Sequence, residues 1–152
     1  MEFKLNLSEI TSLEKRYKTN LINSLSGFKS ANLVGTKDNK GNENLTIISS
    51  AVHIGADPAT MGFIFRPNIV PRHTYENILE TKSFTVNHVS KSFFEKAHQT
   101  SARYEREQSE FDAVGLTPQY ISPISAPFVS ESPLKIGLTL VEHYDIKFNP
   151  TH

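Results

Sequence analysis

The apolar positions recur at three and four residues near the start of the chain and at two further on, and each change of period marks an element. Across residues 8–25, Ile10, Leu13, Tyr17, Leu21 and Leu25 keep the helical spacing, with Ser8 as N-cap and Ser26-Gly27 as the stop, which predicts one helix. From Phe28 onward the period changes. Residues 30–36 are small and branched and read as a strand, 37–43 as a polar turn with Gly41, and 45–50 as the returning strand of an antiparallel hairpin. Asp57-Pro58 marks a further turn, and residues 60–65, apolar from Met61 to Phe65, predict a third strand. Residues 71–81 predict a second helix. Residues 83–89 alternate, with Phe84 and Val86 on one side and His88 in phase, as in a half-buried strand. Residues 92–101 predict a third helix, with Ser92 as N-cap and Glu95 closing a capping box. The charged piece 103–110 reads as a surface loop, 111–115 as one short turn and 116–121 as a strand. Pro123, Pro127 and Pro133 exclude helix from the stretch they punctuate. Residues 134–148 alternate again, with Leu134, Ile136, Leu138 and Leu140 on one side. Strands dominate and helices sit at the edges, so the fold class is mainly β: an antiparallel barrel or sheet decorated with short helices.

The start of the second helix carries the most suggestive chemistry. Pro71 suits a first helical position, where its missing N–H would be unpaired in any case. Val70 before it cannot cap. The free N–H groups of that turn therefore need a partner, and Arg72, His73 and Thr74 stand beside them. Positive charge at a helix N-terminus is unfavourable against the macrodipole unless an anion joins it, and a phosphate fits both the N–H groups and the arginine fork. A basic helix start sitting in solvent is the alternative.

Composition narrows the classes. The 152 residues read as one domain, and 16 Lys plus Arg against 16 Asp plus Glu give no basic excess of the kind that marks a nucleic-acid binder. Lys15, Arg16 and Lys18 read as a solvated helix face. There is no cysteine, which removes disulfides, thiolate catalysis and Cys-based zinc sites. No stretch has the length and apolarity of a signal peptide or a membrane span, so a cytoplasmic protein without membrane partners is the default expectation. The six histidines are scattered, without metal-ligand spacing, and no metal is expected. Nucleophile-elbow, Rossmann and Walker patterns are missing too, so a nicotinamide would bind only transiently, by stacking.

Nine pieces then occur in order: SANLVGTKD, NLTIISS, GADP, GFIFRP, RHTYENI, FTVNHV, HQTSARY, SEFDAVGLTP and SPLKIGLTLVE. Together they resemble the flavin-reductase-like family of FMN-binding split-barrel proteins, over roughly residue 24 to the C-terminus. The resemblance implies a closed antiparallel Greek-key split barrel and a homodimer with flavin near its interface. It implies FMN, with FAD as the other candidate, reduced by NADH or NADPH; some members serve instead as flavin-carrying electron-transfer proteins. Carried over residue by residue, Ser49 and Ser50 match the serine pair that lines the flavin ring. Arg66, Asn68, Arg72, His73 and Thr74 fall in the segment facing the flavin phosphate, and Thr100, Ser101 and Ala102 match the TSA piece near the cofactor. The flavin would carry the chemistry, so no catalytic acid or base is named. The competing class is a binding protein: a sensor or electron carrier for flavin or another anion, without nicotinamide turnover. Family sequences continue past the piece resembling FNPTH into further barrel strands. Those strands are expected to be missing from residues 1–152, as in a fragment or a shortened barrel.

Overall fold

The computed structural model describes residues 4–65 and 71–146. Two short helices, α1 (Leu7–Ser12) and α2 (Lys15–Ser24), precede strands β1 (Asn32–Lys37), β2 (Glu43–Ile48), β3 (Val52–Ala56) and β4 (Ala59–Gly62). Helix α3 (His73–Thr81) and strand β5 (Ser83–His88) follow, then a 3-10 turn leading into α4 (Phe94–Gln99). Helix α5 (Glu110–Val114) and strands β6 (Pro118–Gln119), β7 (Phe128–Val129) and β8 (Lys135–Thr139) complete the described elements. The main sheet has four strands in the order β2-β1-β5-β8, every pair antiparallel. β3 with β4, and β6 with β7, form two further antiparallel pairs.

The β1–β2 hairpin is closed as its turn residues dictate. Asp38 accepts from Lys40 N at 2.9 Å and from Asn42 N at 2.8 Å, and Gly41 takes φ +96, which only glycine adopts freely. β1 lies between β2 and β5, and both of its faces are covered. On one, Leu33 packs with Leu45, Phe93, Ala97, Phe111, Leu116 and Val129; on the other, Val34 packs with Ile78, Phe84 and Val86. The 126–129 segment crosses so close that a Cβ on Gly35 would stand 2.2 Å from the Pro127 carbonyl oxygen.

The same coverage explains why the alternation in β5 was a poor guide to burial. Phe84 and Val86 are core residues as expected, but Thr85 and Asn87 on the opposite face are also fully buried. Their polar atoms are bonded: Thr85 Oγ1 donates to the Pro127 oxygen at 2.7 Å, and the Val129 N–H donates to Asn87 Oδ1 at 2.9 Å.

Several expected boundaries are corrected. The first helix is two, because Leu13 (ψ 149) and Glu14 (ψ 137) are extended. Its cap is Asn6, not Ser8, in a capping box with Glu9. The third helix starts at Phe94 after a 3-10 turn, and the Ser92–Glu95 capping box does not form; Ser92 Oγ pairs with Ser90 Oγ at 2.6 Å instead. The third strand ends at Gly62, beyond which Phe63 turns inward to Phe84, with ring centroids 5.6 Å apart. The strand expected over 116–121 shortens to Pro118–Gln119, and that expected over 134–148 shortens to Lys135–Thr139; residues 147–148 lie outside the described residues.

Candidate functional site

The second helix begins later than its sequence suggested. Pro71 lies outside it and Arg72 is the N-cap residue, with φ −127 and ψ 82, so the first helical residue is His73. Val70 lies outside the described residues; at Arg72 no described side chain makes a cap hydrogen bond, although the Arg72 N–H itself donates to Glu76 Oε1 at 3.4 Å. Thr74, Asn77 and Ile78 form the buried face of α3, and Lys82 ends it in the left-handed conformation at φ 59. Phe65 approaches this turn, its ring 5.4 Å from that of Tyr75.

Around the turn the side chains divide into anchored and unpaired groups. Arg72 is half-buried, and its Nε is buried without a hydrogen-bond partner among the described residues. An orphaned guanidinium donor is costly unless something accepts from it. His73 is half-buried, and burial together with the charge of Arg106 holds its imidazole below the ordinary value, against the pull of Glu105 and Glu107. The Thr74 hydroxyl is buried and donates to Asn44 Oδ1 in a very short bond. Asn44 Nδ2 in turn donates to both carboxylate oxygens of Glu110, at 2.8 and 2.9 Å, and the Leu45 N–H donates to the same carboxylate at 2.8 Å. Burial pushes Glu110 above the ordinary carboxylate range, although these hydrogen bonds work the other way.

Arg106 ties the opposite side of the turn. Its guanidinium pairs closely with Glu76, donates to Asn77 Oδ1 at 3.2 Å and lies 3.8 Å from Asp38. The 103–110 piece, expected as a surface loop, thus contributes a half-buried cation and a buried carboxylate to this corner of the fold. Asn44, Arg106 and Glu110 are the residues that sequence reasoning did not single out.

The remaining predicted residues fall elsewhere around the sheet. Ser49 is exposed just past the end of β2, and Ser50 Oγ both donates to the Ile64 oxygen and accepts from the Ile64 N–H, each at 3.0 Å. Asn44, beside Thr74, and Ser49 stand at opposite ends of β2, about 17 Å apart at roughly 3.3 Å per residue. Thr100, Ser101 and Ala102 close the end of α4. Thr100 Oγ1 donates to the Ala97 oxygen at 2.8 Å and Ser101 Oγ to the His98 oxygen at 2.7 Å, while Ala102 is exposed. Arg66 and Asn68 lie outside the described residues.

Short antiparallel sheets with peripheral helices, joined in this order, make the fold a split barrel of the type found in flavin reductases. The profile of the flavin reductase like domain matches residues 26–149, and the chain belongs to that family. A solved structure of a candidate flavin reductase with a split barrel domain from Shewanella frigidimarina NCIMB 400 is 54% identical, with a TM-score of 0.91 over 95% of this chain and 72% of that one. The flavoredoxin of Desulfovibrio vulgaris (Miyazaki F) is 25% identical, with a TM-score of 0.71 over 80% of this chain and 68% of that one. An uncharacterized protein of Aquifex aeolicus (strain VF5) is 33% identical over 75 residues, which are 49% of this chain; the match spans 38% of that protein's length. Among the described residues no helix is long and apolar enough to cross a membrane.

Proposed function

We propose that this chain is a flavin-binding oxidoreductase that holds FMN non-covalently and takes hydride from NADH or NADPH, with FAD as the other flavin it could accept. The observation that carries the reading is the buried Nε of Arg72, without a partner among the described residues, at a helix start that no described side chain caps, in a member of the flavin reductase like family. A phosphate there would accept from the guanidinium and from the first N–H groups of α3, a donor set suited to a dianion. Arg66, Asn68 and His73 complete the phosphate end in this reading. Thr74 contributes through its backbone N–H, since its hydroxyl is bonded to Asn44.

Ser49 and Ser50 form the ring end. A hydroxyl has one proton and two lone pairs, and Ser50 uses its proton and one lone pair on Ile64. One lone pair remains, which suits an N–H of the ring's polar edge, while Ser49 is free to turn as donor or acceptor. Thr100, Ser101 and Ala102 belong to the same reading as the segment facing the cofactor. When bound, the flavin supplies hydride acceptance at its N5, and the protein supplies position, charge and exclusion of water.

Residues 1–152 read as one such domain, acting in the cytoplasm as a homodimer. Support for the dimer comes from exposed apolar side chains on β3 and its neighbours, Val52, Ile54 and Ile64, and on the segment after β8, Val141, Tyr144 and Ile146. Sedimentation at micromolar concentration tests it; a strict monomer refutes it. Function is tested by loading FMN and mixing anaerobically with NADH or NADPH. Bleaching of the flavin absorbance is expected. Bound flavin that neither nucleotide bleaches would favour an electron carrier, the second reading, to which the likeness to a flavoredoxin lends support. Failure to bind FMN would overturn both.

A further inference from the structure

Three buried polar side chains hold the first turn of α3 against β2, and the line they form has a fixed direction. Glu110, Asn44 and Thr74 are 6%, 7% and 5% exposed. An ionised carboxylate can only accept, so the atom of Asn44 that faces Glu110 at 2.8 and 2.9 Å must be its Nδ2. The amide oxygen of Asn44 must then face Thr74, and the Thr74 hydroxyl must donate to it. A hydroxyl has one proton to give. Thr74 therefore has none left for a ligand, although it stands in the first turn of the helix.

The charge on Glu110 makes the direction unambiguous. A glutamine whose oxygen took the Oε2 place would still accept from the Leu45 N–H, but its amide nitrogen would stand at the Oε1 place, 2.8 Å from Asn44 Nδ2, donor against donor. The Asn44 amide would turn around to accept from it. Thr74 would then accept from Asn44, and its proton would be released. Keeping a carboxylate buried among neutral partners is costly, which a merely space-filling role would not require.

We propose that Glu110 is a positioning residue for the phosphate end of the site: by orienting Asn44 it commits the Thr74 hydroxyl inward, and it leaves the anion to Arg72 and to the N–H groups of α3. This rests on the FMN reading given above.

The test compares wild type, Glu110→Gln, and the double variant Asn44→Asp with Glu110→Gln, in which the glutamine donates to a carboxylate at 44 and Thr74 again donates to that carboxylate. Two quantities are measured: the ratio of riboflavin to FMN dissociation constants by fluorescence titration, and the Thr74 hydroxyl proton by NMR in the ligand-free protein. Glu110→Gln is expected to raise the preference for FMN about three- to tenfold, the worth of the hydrogen bond that the released Thr74 proton can give a phosphate, with riboflavin affinity unchanged. It should also lose the protected hydroxyl signal. The double variant should restore both. Retention of both by Glu110→Gln, or no restoration in the double variant, overturns the proposal. If Glu110→Gln does not fold, the double variant is expected to fold and keep the preference, and its failure is equally decisive. If wild type shows no preference for FMN, the functional reading falls, and the hydroxyl signal alone decides: its loss in Glu110→Gln upholds the orienting role and its retention overturns it.

Discussion

Replacing Arg72 by methionine separates two roles that most mutations of a buried arginine would confuse. The methionine keeps most of the aliphatic stem and removes the guanidinium, whose Nε is buried without a partner among the described residues. In the ligand-free protein that donor is a liability of the kind that costs about 1–3 kcal/mol when left unmade. The variant should therefore unfold at an unchanged or higher urea concentration. With FMN the sign reverses. Charge-assisted hydrogen bonds to a phosphate contribute about 1.5–3 kcal/mol each, so FMN affinity should fall roughly ten- to a hundredfold, taking 1.4 kcal/mol as tenfold. Riboflavin, which lacks the phosphate, should bind as before. The salt dependence of FMN binding should also flatten, since screening acts on the charge pair removed. Titrations of both flavins against wild type and Arg72→Met, at two ionic strengths, read all of this. Equal losses for FMN and riboflavin, or a ligand-free protein destabilised by more than about 1 kcal/mol, would show that the guanidinium serves the fold and not an anion.

Gly35→Ala should destabilise by about 2 kcal/mol or more, because its Cβ would meet the Pro127 carbonyl at 2.2 Å and Thr85 Oγ1 at 2.7 Å; a urea midpoint like that of wild type would refute the close crossing. His73 is held below its ordinary value of 6.5, so the folded state takes up its proton less readily than the unfolded chain. The stability this provides is full above pH 6.5 and is lost as pH falls through the lowered value, and His73→Gln should flatten that slope in urea titrations across the window. Glu110 behaves oppositely, its value raised above 4.5: the stability linked to its protonation is full below pH 4.5 and lost as pH rises through the raised value. Glu110→Gln should therefore remove a decline on that rising side.

The hairpin and the helix at 73–81 were legible because their signals are local. A polar turn with Asp38 and Gly41 closes on itself, and Ile78 needs only the neighbouring sheet, where it packs with Val34, Phe84 and Val86. Local propensity failed where burial came from distant chain. β5 carries a polar–apolar alternation that reads as one wet face. The crossing segment at Pro127–Val129 covers that face and satisfies Thr85 and Asn87, and nothing within residues 83–89 announces it. The first helix failed for the reverse reason. Its apolar spacing is continuous, but α1 and α2 have no buried residues, so no core holds them in line and Glu14 caps a new start by accepting from the Tyr17 N–H at 2.9 Å.

The 103–110 piece shows what this implies for the site itself. Its alternating charges look solvated when counted along the chain, because mixed sign and high charge density are the marks of exposed loops. In the fold, Glu105 and Glu107 remain exposed, whereas Arg106 between them turns onto α3 and meets Glu76, Asn77 and Asp38. The cation adds to burial in depressing His73 and fixes one flank of the helix start, while Glu110 fixes the other through Asn44 and Thr74. This helix end is held on both flanks by charges that are already paired, and the Arg72 N–H donates to Glu76 Oε1 at 3.4 Å, yet among the described residues no side chain caps it and Arg72 Nε has no partner. Stability alone does not account for that arrangement, since capping the same turn with Asp or Ser at position 72 would cost less than burying an arginine nitrogen without a partner. That unpaired group is the one on which the proposed phosphate site rests, and it is legible only when residues far apart in sequence are seen together.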